Sequence, residues 1–469
     1  MIALPLRFRP SAAGFLFAND AGQFFRSDRA FLERYALDRL DSDDWEFLRA
    51  RGHAVESEES LGYAAHLHGC ARRLASPGPL DYLILVPTLR CNLACSYCQV
   101  SRADLGSHGY DWSAETLDAV LALIDRIETK AIKIEFQGGE PTLRPDLIEA
   151  VIGRCERFSD KEFVVCTNLS QLNSEILAIF DRDEVLISTS LDGGALTHRA
   201  NRTGSEQETA RFFINLDFVL DRYGPNKVSA LPTVDPVNPP DPDELIHAFA
   251  SRGLSSIYLR PISFHGFARK RHPGSHSQDH AWQAYYERFI EAIITRNWTD
   301  RDNVLEETYL SLCLRRVFQP GHDRHVDLRS PNAIGRDYVV IDYDGTVYPT
   351  DEARMLARSG IIDLAIGDVA SGWESETRGT LDASSTNQFD PACQRCVYQP
   401  YCGRDLMDDL ARYGRIDLPR RETQFCRRHI HLFDFVFRLI YSEDPAVRHS
   451  LGAWLGLTGP LPAIAGVSR

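Results

Sequence analysis

The sequence lacks long hydrophobic runs. None of its 469 residues belongs to a stretch approaching the roughly 18 apolar residues of a membrane span, so no transmembrane helix is expected. The first nine residues also lack a basic region followed by an apolar core, which predicts that no secretory signal peptide is present. We therefore expect a cytoplasmic protein without a membrane partner.

The sequence also lacks an excess of positive charge. It has 52 Lys and Arg against 66 Asp and Glu, and its net charge is −14 at pH 7. Surfaces that bind nucleic acid broadly are basic, so we expect no nucleic-acid partner. The hydrophobic fraction of 43% and the charged fraction of 25% are those of an ordinary globular protein. The length predicts about two or three domains.

Cysteine, in contrast, is plentiful, since the chain has 11 of them. Disulfide frameworks are typical of small secreted domains, and this chain is neither small nor secreted in our reading. Clustered cysteines in such a chain indicate metal binding or catalysis. Four cysteines lie outside any cluster and are predicted to be buried free thiols: Cys70, Cys155, Cys166 and Cys313.

The first cluster has the spacing Cys-x3-Cys-x2-Cys and consists of Cys91, Cys95 and Cys98. Three thiolates this close can hold a cuboidal iron–sulfur cluster and leave its fourth iron open to a ligand from solution. A zinc knuckle is the alternative. Structural zinc sites use four ligands, however, and no fourth cysteine lies nearby, although His108 is ten residues further on.

From about residue 80 the sequence alternates between strand and helix patterns. Six such units predict an α/β fold with a parallel sheet that curves into a partial (β/α)6 TIM-like barrel. Ligands bind at the carboxyl ends of strands in such folds, and the cysteine loop follows the first strand directly. The six strands are predicted over Tyr82–Thr88, Ala131–Phe136, Glu162–Thr167, Val185–Leu191, Lys227–Val234 and Ser256–Pro261.

Two smaller units flank the predicted barrel. Residues 1–78 are predicted to form an α+β unit with a hairpin over residues 14–26, and residues 79–280 form the barrel. Residues 281–469 form a C-terminal unit with helices and a hairpin over residues 338–349, whose turn is Asp344-Gly345. The loop after the sixth strand, residues 265–280, holds four histidines and three basic residues; we predict a flexible solvated loop, with a metal site as the alternative.

Several polar or glycine residues follow the predicted strands. Gly138 and Gly139 end the second strand, and without a Cβ they let a ligand approach the backbone. Glu140 comes next, and a carboxylate there can hold an ammonium group. A tight turn is the alternative for this motif. The third and fourth strands end near Asn168, Ser188, Ser190 and Asp192.

The second cysteine group has the spacing Cys393-x2-Cys396-x5-Cys402, followed later by Cys426. A set of four cysteines suits a structural zinc ion. Four cysteines also suit an iron–sulfur cluster whose irons are all held by protein. The spacing alone leaves both possibilities open.

The first cysteine loop, with Tyr97 before the last cysteine, and the Gly138-Gly139-Glu140 motif about forty residues later resemble the radical S-adenosylmethionine (SAM) superfamily. The resemblance implies a [4Fe–4S] cluster on Cys91, Cys95 and Cys98, with SAM chelating its open iron. An electron from that cluster then splits SAM into methionine and a 5′-deoxyadenosyl radical. The residues that the resemblance places around SAM are Tyr97, Gly138, Gly139, Glu140, Asn168, Ser188, Ser190, Asp192 and Arg202, with Arg202 suited to the SAM carboxylate.

The C-terminal unit resembles the SPASM or twitch extension of that superfamily, which carries auxiliary [4Fe–4S] clusters. The resemblance implies one auxiliary cluster, with Cys393, Cys396, Cys402 and Cys426 as its ligands. A second auxiliary cluster is not expected. Leu406 stands where a further cysteine belongs, and the hairpin ends in Tyr348-Pro349-Thr350 rather than in cysteine. The cysteine expected upstream of that hairpin is also missing, unless Cys313 takes its place.

Residues 95–102, 135–141 and 349–356 resemble one branch of these enzymes, the maturases of the His-Xaa-Ser system called HxsB. This resemblance implies hydrogen abstraction from a ribosomally made precursor peptide and formation of a crosslink. The implied partners are that peptide, a reductant such as flavodoxin or ferredoxin, and a second radical SAM maturase. Residues 1–78 would then be a winged-helix domain that binds a leader peptide, or a plain structural cap.

Two other functions remain open at this stage. One is another SPASM enzyme, either an anaerobic sulfatase maturase or a thioether-forming enzyme of the sactisynthase type. The other is a non-catalytic regulator that binds zinc or an iron–sulfur cluster. The Gly138-Gly139-Glu140 motif after a strand argues against the regulator.

Overall fold

The structure, a computed structural model, describes residues 1–321, 328–332, 334–373, 379–381 and 384–464. Twenty strands are assigned within those residues: β1 Ile2–Ala3, β2 Arg7–Ser11, β3 Gly14–Ala18, β4 Phe24–Ser27, β5 Ala54–Val55, β6 Tyr82–Thr88, β7 Arg90–Cys91, β8 Ala103–Asp104, β9 Ala131–Gly138, β10 Asp160–Cys166, β11 Val185–Ser190, β12 Val228–Leu231, β13 Thr233–Val234, β14 Ser256–Ile257, β15 Arg260–Pro261, β16 Glu306–Glu307, β17 Tyr338–Ile341, β18 Thr346–Tyr348, β19 Gly367–Asp368 and β20 Gly372–Trp373.

The same residues contain 17 α-helices, several of which are long and amphipathic: α1 Arg29–Ala36, α2 Ser42–Ala50, α3 Leu61–Arg73, α4 Ala114–Arg126, α5 Pro145–Arg154, α6 Ser174–Phe180, α7 Ala195–His198, α8 Glu206–Tyr223, α9 Pro242–Ala250, α10 Ala268–Arg271, α11 Asp279–Thr299, α12 Thr308–Phe318, α13 Asp351–Arg358, α14 Pro391–Gln394, α15 Leu406–Tyr413, α16 Gln424–Ile440 and α17 Pro445–Trp454. Each of these helices is too short or too polar to span a bilayer.

A nine-stranded sheet forms the centre of the protein, in the order β12-β11-β10-β9-β6-β17-β18-β19-β20. Strands β6, β9, β10, β11 and β12 are all parallel, and helices α4, α5, α6 and α8 lie between them in the sequence. Parallel strands need such crossover connections. The predicted α/β barrel with its curved parallel sheet is therefore present.

The sixth predicted strand is divided in the structure. Residues 256–261 form two short strands, of which β15 pairs in parallel with β13, while β14 pairs with β16 from the C-terminal unit. Pro261 lacks a backbone N–H, which restricts the hydrogen bonding at the end of β15. The barrel therefore closes only partly on this side.

The side chains along β9 alternate between the two faces of the sheet, one of which packs in the core while the other faces the barrel interior. Ile132, Ile134 and Phe136 are buried in the large hydrophobic core, and the residues between them face the barrel interior. Side chains alternate across a strand with a period of two, so one face packs and the other lines a cavity. Helix α4 covers the packed face with Val120 and Ile124.

The C-terminal hairpin joins the core sheet directly. Strand β17 pairs in parallel with β6, with Tyr338 opposite Tyr82, and β18 returns antiparallel to β17. The predicted hairpin over residues 338–349 is thus confirmed, but its role as an extension of the barrel sheet was not predicted. This pairing places the C-terminal unit beside the strand that leads into the cysteine loop.

The N-terminal residues form a three-stranded antiparallel sheet in the order β2-β3-β4, with α1, α2 and α3 following it. The predicted hairpin over residues 14–26 is present as β3 and β4. Phe17 and Phe25 stack with ring centroids 4.9 Å apart, and Phe31 of α1 packs edge-on against both. The strand β2 and the helix α3 were not predicted.

Candidate active site

A cavity of about 1100 Å³ occupies the barrel interior and its mouth. It extends from the inward face of the parallel strands to side chains of the C-terminal helices. Except for Asp192, the structure brings the residues that the sequence placed around the first cluster and SAM to this one cavity: Cys91, Cys95, Tyr97, Cys98, Gly138, Gly139, Glu140, Asn168, Ser188, Ser190 and Arg202.

The cysteine loop is fastened to the barrel at its base. Arg90 donates two hydrogen bonds to the Asp111 carboxylate, at 2.8 and 2.7 Å, and the Thr88 hydroxyl donates to the same carboxylate at 2.5 Å. Further along, the Ser96 amide donates to the Asn201 carbonyl at 2.8 Å. The loop that carries the three thiols is therefore held from both sides.

The Cys91 sulfur has nearby hydrogen-bond donors. The Leu93 amide lies 3.4 Å from Cys91 Sγ, and Nδ2 of Asn168 lies 3.8 Å from it. Burial raises the pKa of the Cys91 thiol to about 12, and the neighbouring Glu140 carboxylate adds to the rise. Donors directed at sulfur suit a thiolate that binds metal.

Gly138 and Gly139 allow β9 to approach the cysteine loop closely. Gly138 has a φ of 132°, and a Cβ there would overlap the Thr88 carbonyl oxygen. A Cβ on Gly139 would overlap the carbonyl oxygen of Arg90. Both glycines line the cavity, as predicted, but the backbone that they admit is that of the cysteine loop.

Glu140 joins the ends of two neighbouring strands. Its side chain is 2% exposed, and one carboxylate oxygen accepts hydrogen bonds from the Thr142 hydroxyl at 2.6 Å and the Thr142 amide at 3.2 Å. The other oxygen accepts from the Asn168 amide at 2.7 Å. Burial raises the pKa of Glu140. These partners could not be read from the sequence, because Asn168 follows the next strand along.

Tyr97 and Arg202 meet beside the thiols. The buried Tyr97 hydroxyl donates a hydrogen bond to Asp192, and the Arg202 guanidinium carbon lies 5.6 Å from the Tyr97 ring centroid. Asp192 also accepts from the Thr233 amide at 3.1 Å, and it does not line the cavity. Asp192 therefore positions Tyr97, whereas the sequence suggested a direct contact with SAM.

Arg202 has an unsatisfied donor in this environment. Its Nη1 is buried and has no hydrogen-bond partner among the described residues. Burial opposes its charge, but Tyr97, Cys95 and Asp192 raise the pKa of Arg202 above its ordinary value. A buried guanidinium N–H without an acceptor is costly, so this atom fits an anionic partner such as a carboxylate.

The cavity also contains a polar network that sequence reasoning missed. Glu135 accepts hydrogen bonds from the Tyr82 hydroxyl at 2.7 Å and from Nε2 of Gln137 at 2.6 Å. The Cys166 thiol also contacts this carboxylate, at 3.2 Å, so this predicted free thiol faces the barrel interior. The signal was present in the alternation of β9, where Glu135 and Gln137 occupy inward positions.

The loop predicted to be flexible and solvated packs against the cysteine loop instead. The Phe267 amide donates to the Cys98 carbonyl at 2.8 Å, and Arg271 Nη1 donates to the Cys95 carbonyl at 3.1 Å. That prediction is wrong, because the loop supplies donors that the carbonyl groups of the cysteine loop need. His272 pairs with Asp235 at 2.8 Å. The alternative metal site included His276, whose side chain lies outside the described residues.

The second cysteine group lies outside the cavity lining, where two segments meet. Cys393 lies in α14, and Cys396 and Cys402 follow that helix. Cys426 lies in the first turn of α16, where its amide donates a hydrogen bond to the Thr423 hydroxyl at 3.3 Å. Burial raises the pKa of Cys402, and the charges of Cys393, Cys396 and Cys426 raise it further, so these three thiols lie within electrostatic reach of Cys402.

Cations lie next to these four thiols. Arg420 is 3% exposed and donates a hydrogen bond to Asp409 at 2.6 Å. Burial opposes its charge, but Asp409 and the Cys393, Cys402 and Cys426 thiols raise the pKa of Arg420 above its ordinary value. Buried positive charge beside clustered thiols fits a group that is anionic when it binds metal. The four residues therefore fit the expected auxiliary cluster.

Apolar packing fills the positions of the absent cysteines. Leu406 and Tyr348 both belong to one hydrophobic cluster, together with Ile334, Val340 and Leu356. These are two of the three places where the sequence lacked ligands for a second auxiliary cluster. At these positions, apolar side-chain contacts that need no metal take the place of cysteine ligands.

Across the described ranges, no three His, Cys, Asp or Glu side chains converge on a point where a single metal ion could be held. A cuboidal cluster does not require such convergence, because each of its thiolates binds a different iron atom.

Residues 85–249 match the model of the Radical SAM superfamily, so this part of the chain is a radical SAM domain. The match covers the predicted barrel from the first strand to α9. Together with the fold, it confirms the predicted α/β radical SAM barrel with a central parallel sheet.

Curated relatives share parts of the chain. An uncharacterised protein of Methanocaldococcus jannaschii is 30% identical over 117 residues, which are 24% of this chain and 39% of that protein. An uncharacterised protein of Synechocystis is 22% identical over 345 residues, 70% of this chain and 83% of that protein. GTP 3′,8-cyclase of Listeria monocytogenes is 28% identical over 153 residues, 30% of this chain and 45% of that enzyme. The chain thus spans less than half the length of the first and third of these relatives.

Two solved structures share the fold over most of the chain. The protein anSMEcpe, with bound AdoMet (SAM) and Cp18Cys peptide, has a TM-score of 0.60 at 16% identity and covers 77% of this chain and 97% of its own. SuiB of Streptococcus suis, bound to its precursor peptide SuiA, has a TM-score of 0.51 at 13% identity and covers 87% of this chain and 96% of its own. At such identities the likeness concerns the fold.

Proposed function

We propose that this protein is a radical SAM enzyme that abstracts hydrogen from a ribosomally made precursor peptide. The observation that carries the proposal is the convergence of three thiols, the Gly138-Gly139-Glu140 motif and an unpartnered buried arginine nitrogen in one cavity. This cavity lies in a radical SAM domain. Among the alternatives, this arrangement disfavours the non-catalytic regulator.

The cofactor assignment rests on the chemistry of these donors. In the proposal, Cys91, Cys95 and Cys98 hold a [4Fe–4S] cluster, which would supply the electron that splits SAM into methionine and a 5′-deoxyadenosyl radical. Arg202 then pairs with the SAM carboxylate through its free Nη1, and Tyr97 and Asp192 keep that guanidinium in place. Ser188, Ser190 and Asn168 offer polar groups for the rest of the molecule.

The size and lining of the cavity support a large second substrate. On the side of the C-terminal unit it is lined by aromatic rings, including Trp282 and Tyr286, and by the ion pair of Asp408 with Arg412 at 2.9 Å. Aromatic surface and paired charges suit a peptide segment with both apolar and polar side chains. In the two structural neighbours, anSMEcpe is bound to the Cp18Cys peptide and SuiB to its precursor peptide SuiA.

The remaining parts of the proposal follow from the resemblance to the His-Xaa-Ser maturases. Cys393, Cys396, Cys402 and Cys426 hold one auxiliary [4Fe–4S] cluster, and the product is a crosslink within a His-Xaa-Ser peptide. Residues 1–78 bind the leader of that peptide, with β2 or β4 as the available sheet edge. A flavodoxin or ferredoxin supplies electrons, and a second radical SAM maturase acts on the same peptide.

Iron and SAM cleavage test the core of the proposal. Protein reconstituted without oxygen is expected to contain roughly eight irons, as two four-iron clusters require, and to form 5′-deoxyadenosine when reduced. The triple variant Cys91→Ala, Cys95→Ala, Cys98→Ala should keep about half of that iron and should form no 5′-deoxyadenosine. Cys70→Ala, which removes a thiol of α3, is the matched control and should behave as the parent. SAM cleavage by the triple variant would contradict the site.

Mass spectrometry of a precursor peptide tests the substrate. The chain is co-expressed with a small precursor peptide that contains His-Xaa-Ser repeats, and the peptide is digested and sequenced. A crosslink removes two hydrogen atoms and joins two side chains, whereas a thioether product would involve a cysteine of the peptide. An unmodified peptide in the presence of active SAM cleavage would contradict the peptide assignment while leaving the cofactor assignment intact.

A further inference from the structure

The N-terminal sheet lies directly against the second cysteine group. Arg7 of β2 donates from Nε to the carbonyl oxygen of Gln394 at 2.6 Å, and Gln394 lies between Cys393 and Cys396 in the sequence. Arg9 of the same strand donates two hydrogen bonds to Asp434 of α16, both at 2.8 Å. Strand β2 is therefore fastened to both segments that carry the four cysteines.

Spacing along β2 places both arginines on the same face. Residues two apart in a strand share a face, so Arg7 and Arg9 point the same way. Arg7 contacts the Gln394 carbonyl, and the Arg9 guanidinium carbon lies 6.0 Å from the ring centroid of Tyr398, two residues after Cys396. The Tyr398 hydroxyl also donates to Asp434, at 2.5 Å, which fixes the partner of Arg9.

Arg7 has one donor that nothing in the described chain satisfies. Its Nε is bonded to Gln394, and its Nη2 lies 2.5 Å from Asp20. Its Nη1 is buried and has no hydrogen-bond partner among the described residues. Burying a donor without an acceptor is costly, so the site is built for an acceptor that the polypeptide itself does not supply.

Sulfur atoms of an anionic cluster are acceptors of this kind. Reduction potentials of iron–sulfur clusters depend on net charge and on hydrogen bonds to their sulfurs. Positive charge nearby stabilises the more negative, reduced form of the cluster and raises its potential. Two arginines from β2 are positioned for this effect, and Arg7 adds a free N–H.

We propose that the N-terminal sheet forms one wall of the auxiliary cluster site, and that Arg7 and Arg9 raise the reduction potential of the cluster held by Cys393, Cys396, Cys402 and Cys426. This inference rests on the auxiliary cluster of the proposed function and on none of its peptide chemistry. It makes Arg7 and Arg9 positioning residues for that cluster. The unit proposed to bind a leader peptide thus contacts the auxiliary cluster site itself.

The test uses the full chain with Cys91→Ala, Cys95→Ala and Cys98→Ala as background, so that only the auxiliary cluster remains. Iron content is measured first, and the cluster is then titrated with a reductant and followed by electron paramagnetic resonance. Arg7→Gln and Arg9→Gln should each shift the midpoint potential to more negative values. Arg29→Gln is the matched control, because Arg29 pairs with Glu33 on the exposed surface of α1 in the same unit.

A variant that is expected to shift the midpoint potential in the opposite direction strengthens the test. Asp20→Asn removes the negative partner of Arg7 and should shift the potential to more positive values, by less than Arg7→Gln because Asp20 is partly exposed to water. Arg7→Lys keeps the positive charge but loses the planar set of guanidinium N–H donors, so its midpoint potential should lie between those of the parent and Arg7→Gln. If Arg7→Gln fails to fold, Arg7→Lys and Asp20→Asn still test the sign.

Two results would overturn the proposal. One is a midpoint potential for Arg7→Gln that equals that of Arg29→Gln at equal iron content. The other is a background protein that contains zinc and no iron. SAM cleavage is measured separately, on the protein with its first three cysteines intact, and neither result bears on it. Failure of the proposal about Arg7 and Arg9 is therefore distinguishable from failure of the proposed function.

Discussion

The Tyr309 hydroxyl lies 2.6 Å from Nε2 of His429 and joins the cavity wall to the helix of the second cysteine group. Tyr309 of α12 lines the cavity, and His429 lies one turn after Cys426 in α16. Nδ1 of His429 lies 2.8 Å from the Phe425 carbonyl oxygen, which accepts its hydrogen, so Nε2 is the atom that accepts from Tyr309. The pair connects two sites that are more than one hundred residues apart in the sequence.

Removing this hydroxyl is expected to destabilise the protein. In Tyr309→Phe the imidazole of His429, which is 1% exposed, loses its buried hydrogen bond from this hydroxyl, at a cost of roughly 1–3 kcal/mol. The midpoint of urea unfolding, measured without oxygen and at equal iron content, reports the change. Tyr285→Phe is the control, because the buried Tyr285 hydroxyl has no hydrogen-bond partner among the described residues and its loss should cost nothing. Equal losses in the two variants would contradict this account.

The two glycines after β9 give a second prediction. Gly138→Ala places a Cβ against the Thr88 carbonyl oxygen at the end of β6, and Gly139→Ala places one against the Arg90 carbonyl oxygen in the cysteine loop. Both should displace that loop and lose most of the first cluster and of SAM cleavage. Gly153→Ala is the control, since no atom lies near its Cβ position and a helical alanine is favoured over glycine by roughly 0.5–1 kcal/mol. Iron analysis and thermal melting distinguish the cases. Normal iron content in Gly139→Ala would show that the loop accommodates the methyl group.

Sequence patterns predicted the elements that lie close together in the chain. The alternation of apolar and polar residues located the strands, and the strand ends located the cysteine loop and Gly138, because both are local properties. The pairing of β17 with β6 joins segments some 250 residues apart and could not be inferred locally. The same holds for the Glu140 contact with the Asn168 amide and for the packing of Phe267 on the cysteine loop, since each depends on the fold as a whole.

Arg202 gives a prediction about cofactor binding. Replacing it with lysine keeps the charge but removes the planar fork, so the affinity for SAM should fall by roughly 10-fold or more, as expected for the loss of a charge-assisted hydrogen bond. Equilibrium binding of SAM to the reconstituted protein measures this directly. Arg199→Lys, in the same helical segment but outside the cavity lining, should bind SAM as the parent does. An unchanged affinity in Arg202→Lys would remove this residue from the SAM site.

Glu307 predicts a pH dependence of stability. Burial raises the pKa of this carboxyl group to about 7, although the Tyr286 hydroxyl and the Leu310 and Leu259 amides donate hydrogen bonds to it at 2.5, 2.7 and 3.1 Å. The folded protein therefore binds this proton more tightly than the unfolded chain does.

The sign of the effect follows from that difference. Between the ordinary pKa of glutamate, about 4.3, and the folded value near 7, the folded state holds more protons, so the free energy of unfolding should fall as the pH rises through this window. Below the window the group is protonated in both states and the penalty is absent. Above the window the penalty is complete and constant.

A neutral side chain at this position tests the assignment. Glu307→Gln cannot ionise, so its free energy of unfolding should depend less on pH than that of the parent between about pH 4.3 and 7. The control is Glu306→Gln, which removes a neighbouring carboxylate that pairs with Arg315 at 2.7 Å near the surface and should keep the slope of the parent. Urea unfolding at several pH values, with the same iron content in all samples, gives the three slopes. If the slope of Glu307→Gln equals that of the parent, another group titrates in this window and Glu307 is charged in the folded protein.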